Sequence, residues 1–176
     1  TGPTFDSYSI QVLSEGYEPY MFYLYHQLYD DNGKPIEGMY ADITGDGVID
    51  NNDRYRCKSP TPDWILGFST NLTWKKWTLG FGLRANIGNY VYNGNAMNMC
   101  AWETVSFNTY QINNLNRSYL ETGFQHRQRL SDYYLENASF LKMDNISLRY
   151  TFGKLASWCS NLYVSAMIQN VFTITK

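Results

Sequence analysis

Residues 66–87, LGFSTNLTWKKWTLGFGLRANI, decide the fold. Leu66, Phe68, Thr70, Leu72 and Trp74 alternate with Gly67, Ser69, Asn71 and Thr73. After Lys75-Lys76, Trp77, Leu79, Phe81, Leu83, Ala85 and Ile87 alternate with Thr78, Gly80, Gly82, Arg84 and Asn86. A period of two belongs to strands, whose successive side chains leave opposite faces. The stretch is therefore a hairpin with one apolar face and one polar, small-residue face. A soluble β-sandwich would turn the apolar face inward. A membrane barrel would turn it to lipid and line its lumen with the other. Period alone does not separate the two. Trp74 and Trp77 bracket the turn on the apolar side, where a barrel carries its aromatic ring. Each arm also has about the 9–11 residues that cross a bilayer at a tilt. These features, with glycines on the opposite face, favour the barrel.

Further along, Ile146, Leu148, Tyr150 and Phe152 alternate with Asn145, Ser147, Arg149 and Thr151. A short connection, Gly153 to Asn161, leads to Leu162, Val164, Ala166 and Ile168 set against Tyr163, Ser165, Met167 and Gln169. This is a second hairpin of the same kind. Residues 88–138 lie between the two and hold no sustained periodicity, yet Tyr90, Tyr92, Trp102, Phe107, Tyr110 and Tyr119 argue against disorder. Short turns on one side and a loop this long on the other match the asymmetry of outer-membrane barrels. Upstream, the run Tyr20 to Tyr25 is large and partly apolar on both faces, as in a buried or interfacial strand. The chain stops at Thr173-Ile174-Thr175-Lys176 without a turn or a partner strand, which reads as a cut and not a terminus.

Composition narrows the function. Only 17% of the 176 residues are charged, the formal net charge is −2, and 17% are aromatic, including 16 Tyr. No basic excess supports nucleic-acid binding. The aromatic load fits all-β proteins and interfacial girdles. The odd, widely spaced Cys57, Cys100 and Cys159 offer no metal or redox spacing and read as unpaired thiols, a Cys57–Cys100 pair being the alternative. His26 and His126 have no nucleophile or metal pattern near them, so no catalytic site emerges.

The acidic stretch Asp42–Asp53, DITGDGVIDNND, is the one chemical motif. Calcium loops of the EF-hand type take ligands from positions 1, 3, 5, 7, 9 and 12, with Gly at 6. Asp42, Thr44, Asp46, Val48 (through its carbonyl), Asp50 and Asp53 fall on those positions, and Gly47 on the sixth. Like charges brought together near a surface repel by up to ~4 kcal/mol per close pair, which a hard divalent cation relieves. Pro35, Gly38, Pro60 and Pro62 leave no room for flanking helices. The expectation is a structural Ca2+ loop in a β context; the alternative is a solvated acidic turn.

Several blocks together resemble a known family. They are Gly38 through Asp50 with Asp53-Arg54, Pro62-Asp63-Trp64 with Gly67-Phe68, Gly88-Asn89-Tyr90-Val91-Tyr92-Asn93, Asn137 through Leu148, and Gln169-Asn170-Val171-Phe172-Thr173. In this order they resemble the C-terminal barrel region of SusC/RagA-type TonB-dependent outer-membrane transporters, from about residue 15 onward. The resemblance implies an all-β fold: antiparallel strands of a partial transmembrane barrel with long extracellular loops, residues 42–53 and 88–138 among them, and with the plug and remaining strands absent. It implies a Gram-negative outer-membrane importer of oligosaccharides or peptides that works with a SusD-like surface lipoprotein and with TonB. It also implies that Tyr92, Trp102 and Tyr110 meet substrate or lipoprotein, and that Arg84 and Arg149 face the lumen. The competing reading is a soluble, calcium-binding β-domain for adhesion or carbohydrate binding, in which the apolar faces close on a core.

Overall fold

The computed structural model describes residues 4–5, 8–106, 114–154 and 156–175. The chain divides into two compact units, one of residues 1–60 and 90–136, the other of residues 61–89 and 137–176. Where the sequence suggests a barrel segment with one long loop, the structure joins the N-terminal third and most of that loop into a unit of their own.

The first unit is built of short pieces. Its strands are β1 (Thr4–Phe5), β2 (Tyr8–Ser9), β3 (Gln11–Val12), β4 (Met21–Tyr25), β5 (Gln27–Tyr29), β6 (Pro35–Tyr40) and β7 (Arg54–Arg56). β1 pairs with β2, β3 and β7 flank β4, and β5 pairs with β6 across the Asp31-Asn32-Gly33 turn, where Asp30 caps the backbone N–H groups of Asn32 and Lys34. The large side chains on both faces of β4 follow from its central place: Phe22 and Leu24 are buried with Ile10 and Leu130. A second cluster gathers Ala96, Met97, Cys100, Ala101, Phe124 and Tyr134. The stretch after residue 90 is not strandless: β10 (Tyr90–Tyr92), α1 (Gly94–Met99), α2 (Tyr119–Thr122) and β11 (Leu135–Asn137) punctuate it. Asn93 caps α1 by accepting the Ala96 N–H.

One residue ties these pieces together. Gln27 is fully buried; its Nε2 donates to the carbonyls of Leu28, Ile36 and Met39, and its Oε1 accepts from the Ser131 hydroxyl. Next to it, Asp132 accepts from the Gln27 N–H and the Tyr55 hydroxyl and bonds His26 Nδ1 at 2.8 Å. A buried amide with every group satisfied fixes β5, β6 and the segment at Ser131 in one arrangement.

The second unit is a single antiparallel sheet. Its strands are β8 (Trp64–Trp74), β9 (Trp77–Ile87), β12 (Phe140–Gly153) and β13 (Leu162–Thr175), in the order β13-β12-β9-β8. β8 and β9 keep perfect register from Trp74↔Trp77 to Trp64↔Ile87. β12 slips by one residue between Met143 and Asn145 against β9, with Asp144 the extra residue of a bulge. The slip reverses the parity of β12, so that Leu141 and Met143 join Ile146, Leu148 and Tyr150 on one face. No helix among the described residues is long and apolar enough to cross a membrane; the four strands of this sheet, of 11 to 14 residues, reach the length at which a tilted strand crosses one.

Candidate functional site: a two-faced sheet and an acidic loop

Among the described residues the apolar face of the sheet is exposed. Leu72 pairs with Leu79, Phe68 with Leu83 and Leu66 with Ala85; Leu79 then pairs with Leu148, Phe81 with Ile146, and Ile146 with Ile168. Phe68 is 56%, Leu72 57% and Ile168 60% exposed, while both buried clusters consist of first-unit residues. A soluble sandwich needs that face covered, and a stable soluble protein does not leave an apolar patch of this extent in water. At the turn end the face closes with aromatic rings. Trp77 lies edge-on to Tyr150 at 4.7 Å, and Tyr150 edge-on to Phe152 at 4.7 Å. Trp74, 68% exposed, stands beside them with Lys75 Nζ over its ring at 4.8 Å.

The opposite face is polar and partly carved by glycine. A Cβ on Gly80 would meet Asn71 Oδ1 and Ser147 Oγ, so the missing side chain lets those two neighbours lie across the strand. Asn71, Thr78, Ser147, Arg149, Ser165 and Met167 line a concavity of about 410 Å³ here. Arg149 stacks on Tyr163 at 4.6 Å. Arg84 Nε pairs with Asp144 at 3.0 Å, and Lys142 Nζ stands 3.9 Å from the same carboxylate. Asp144, the bulged residue, thus holds two of the cations on this face, Arg84 and Lys142. The face is not uniformly polar: Met167 and Tyr163 also sit on it, more than half exposed.

In the acidic loop the carboxylates turn onto the loop's own backbone. Asp42 accepts from the Gly45 and Gly47 N–H groups at 2.6 and 2.8 Å, and Asp46 from Val48 N–H at 2.9 Å. Gly47 has φ +80°, a left-handed turn for which glycine is suited. Asp50 caps a 3₁₀ turn, accepting from Asn52 N–H, and Asp53 returns to accept from Asp50 N–H. Asp53 is fully buried. Its Oδ1 accepts from Ile43 N–H, Thr44 N–H and the Thr44 hydroxyl, and its Oδ2 takes the Asp50 bond. The Asp50 and Thr44 N–H groups lead the effects that hold its pKa down to about 2.

The fit to a cation is therefore partial. Asp42, Asp46 and Asp50 are exposed at the surface of the loop, as is Val48, whereas Asp53 is inward and saturated with N–H donors. Among the described residues no three acidic, His or Cys side chains gather closely enough to hold a metal. The backbone donors relieve part of the repulsion that the sequence alone assigns to an ion.

The remaining site residues are scattered. Tyr92 packs against both buried clusters, and burial raises its hydroxyl pKa above the usual tyrosine range. Trp102 is 53% exposed with Tyr119 beside it at 6.2 Å. Tyr110 lies outside the described residues. Arg84 and Arg149 do share the polar face. All three cysteines are free, Cys100 being buried with its Sγ 2.7 Å from the Tyr134 hydroxyl. The sequence reading did not pick out Asp144, although two adjacent polar residues, Asp144-Asn145, are the signal of a broken alternation. It had no means of finding Gln27 and Ser131, whose partnership spans 104 positions.

Comparison with known proteins agrees with this geometry. The chain is 38% identical to the TonB-dependent receptor SusC of Bacteroides thetaiotaomicron, over 95% of its own length and 17% of SusC. It is 26% identical to TonB-dependent receptor P3 of Formosa agariphila, over 78% of its own length and 14% of that protein. The RagAB peptide importer in its closed-closed state superposes with TM-score 0.68 at 21% identity, over 96% of this chain and 22% of the solved one. Its open-open state gives 0.67 at 19% identity, over 98% and 20%. The two RagAB structures share the fold. No family model matches. Sheet, girdle and relatives define a β-barrel segment of a TonB-dependent receptor, a protein of the Gram-negative outer membrane. Within that class the chain is of the SusC/RagA type, and it spans about 17% of SusC.

Proposed function

We propose that the chain forms part of the barrel wall and outer surface of an importer that carries oligosaccharides or peptides across the outer membrane. The importer works with a SusD-like lipoprotein and draws its energy through TonB; the plug and remaining strands are supplied by the rest of the protein. The observation that carries this reading is an apolar face, exposed among the described residues, backed by a polar one, which a lipid-embedded barrel wall requires. In this arrangement Arg84 and Arg149 line the lumen, the turn at Lys75-Lys76 is periplasmic, and Trp102 lies outside, where it meets substrate or lipoprotein. Uptake of labelled oligosaccharides and peptides by cells with and without the intact gene tests it. Loss of one class of uptake on deletion is expected; unchanged uptake across both panels contradicts it.

We further propose that a hard cation, with Ca2+ the best match, adds to the outer side of the acidic loop by drawing Asp42, Asp46 and Asp50 together around it with the Val48 carbonyl, away from the backbone N–H groups they now accept from. Thr44 and Asp53 shape the loop from within. The ion would supply charge neutralisation and rigidity, not chemistry. Calorimetry of the intact receptor with CaCl2 tests this: heat that disappears in Asp46→Ala is expected, and no heat from the wild-type protein removes the proposal.

A further inference from the structure

The turns at one end of the sheet are more than connections. Lys75 and Lys76 form the β8–β9 turn and Lys154 opens the β12–β13 connection; all three are exposed. The two turns are neighbours, because Thr151 N–H donates to the Lys76 carbonyl at 2.8 Å and Tyr150 pairs with Trp77. No Asp or Glu occurs in residues 70–79 or 148–165. Both carboxylates of this unit lie elsewhere, Asp144 beside Arg84 at the bulge and Asp63 beside Gly88. Just inside the lysines, the apolar face ends in Trp74, Trp77 and Tyr150, and Trp158 in the second connection is 87% exposed. Indole rings settle at the headgroup level of a bilayer, and a lysine beside them reaches outward along its own stem. The Lys75–Trp74 stack has that form.

We infer that this rim binds anionic phospholipid headgroups: three lysines and an aromatic belt, free of carboxylates, meet the charged surface of one leaflet. The inference rests on reading the sheet as membrane-spanning. Near an anionic surface a lysine contributes about fivefold in partition. The three together therefore bias which lipid surrounds the turn end, and with it the depth at which the sheet sits.

The test uses the intact receptor in nanodiscs containing photoactivatable phosphatidylglycerol or photoactivatable phosphatidylcholine, with adducts counted on the peptides that carry residues 70–79 and 148–165. Phosphatidylglycerol adducts are expected to exceed phosphatidylcholine adducts. They should fall roughly tenfold or more in the combined Lys75→Gln, Lys76→Gln and Lys154→Gln variant, and persist when the same residues become Arg. Equal labelling by the two lipids, or labelling unchanged in the glutamine variant, overturns the inference while leaving the barrel intact. Absence of adducts from either lipid anywhere on the sheet overturns the membrane-spanning reading itself.

Discussion

Asp53 illustrates how a residue chosen for one role can carry another. Its register position suggests an ion ligand, but its oxygens hold Ile43, Thr44 and Asp50 in place. Asp53→Asn keeps the size and removes the charge that these N–H groups prefer. Hydrogen exchange at Ile43, Thr44 and Asp50 amides is expected to quicken while exchange in the sheet stays unchanged. The sign with pH follows from the depressed pKa. A carboxyl held at about 2 in the fold, against an ordinary value near 4, favours the folded state while ionised. Its contribution is fully present above pH ~4 and is lost as pH falls toward 2. Glu103 behaves alike, held down to about 2 first by the Arg127 N–H and then by the bonds from His126 and Arg127 side chains. Acid titration followed by tyrosine fluorescence is expected to loosen the first unit across pH 4.5 to 2. At Gly88 the backbone is left-handed, φ +92°, and the Asp63 carboxyl fills the space of a side chain. Gly88→Ala is expected to cost about 1–2 kcal/mol from the backbone alone, read as a lower unfolding temperature of the intact receptor.

At the scale of elements, the hairpin of β8 and β9 was legible because period two, a two-residue turn and flanking tryptophans are local signals. Its register follows from them: a slip of one residue would exchange the faces of the whole strand. Lys75 is the exception to local logic, held at φ 54°, where glycine would be at ease. Lys75→Gly is expected to raise stability by about 1 kcal/mol, seen in the midpoint of denaturant unfolding. The Met143–Asn145 slip was not legible as a whole, since alternation read upstream from Asn145 fails until the bulge is allowed for. The first unit was least legible. Its strands have 2–6 residues, too short for a periodic signal, and its polar network joins Gln27 with Ser131 and His26 with Asp132 across a hundred positions. Gln27→Leu would strand the carbonyls of Leu28, Ile36 and Met39 at a cost on the order of 3 kcal/mol, measurable as early unfolding of this unit.

For the whole molecule, the open sheet is the decisive fact. β8 and β13 are long edge strands, 11 and 14 residues, and neither has an outer partner among the described residues. In hydrocarbon every backbone group needs a partner, so these edges pair with further strands of a closed barrel. The 176-residue chain expressed alone without detergent is accordingly expected to aggregate, judged by size-exclusion chromatography. The central claim is that the apolar face meets lipid and the polar face meets water. Single nitroxide labels along β8 and β9 of the intact receptor in a bilayer test it directly, by relaxation with oxygen and with a water-soluble nickel complex. Oxygen access is expected to peak at Leu66, Phe68, Leu72, Leu79 and Phe81, and nickel access at Ser69, Asn71, Thr78 and Arg84, alternating residue by residue. Oxygen access that fails to alternate, or that peaks at Ser69 and Asn71, would contradict the account.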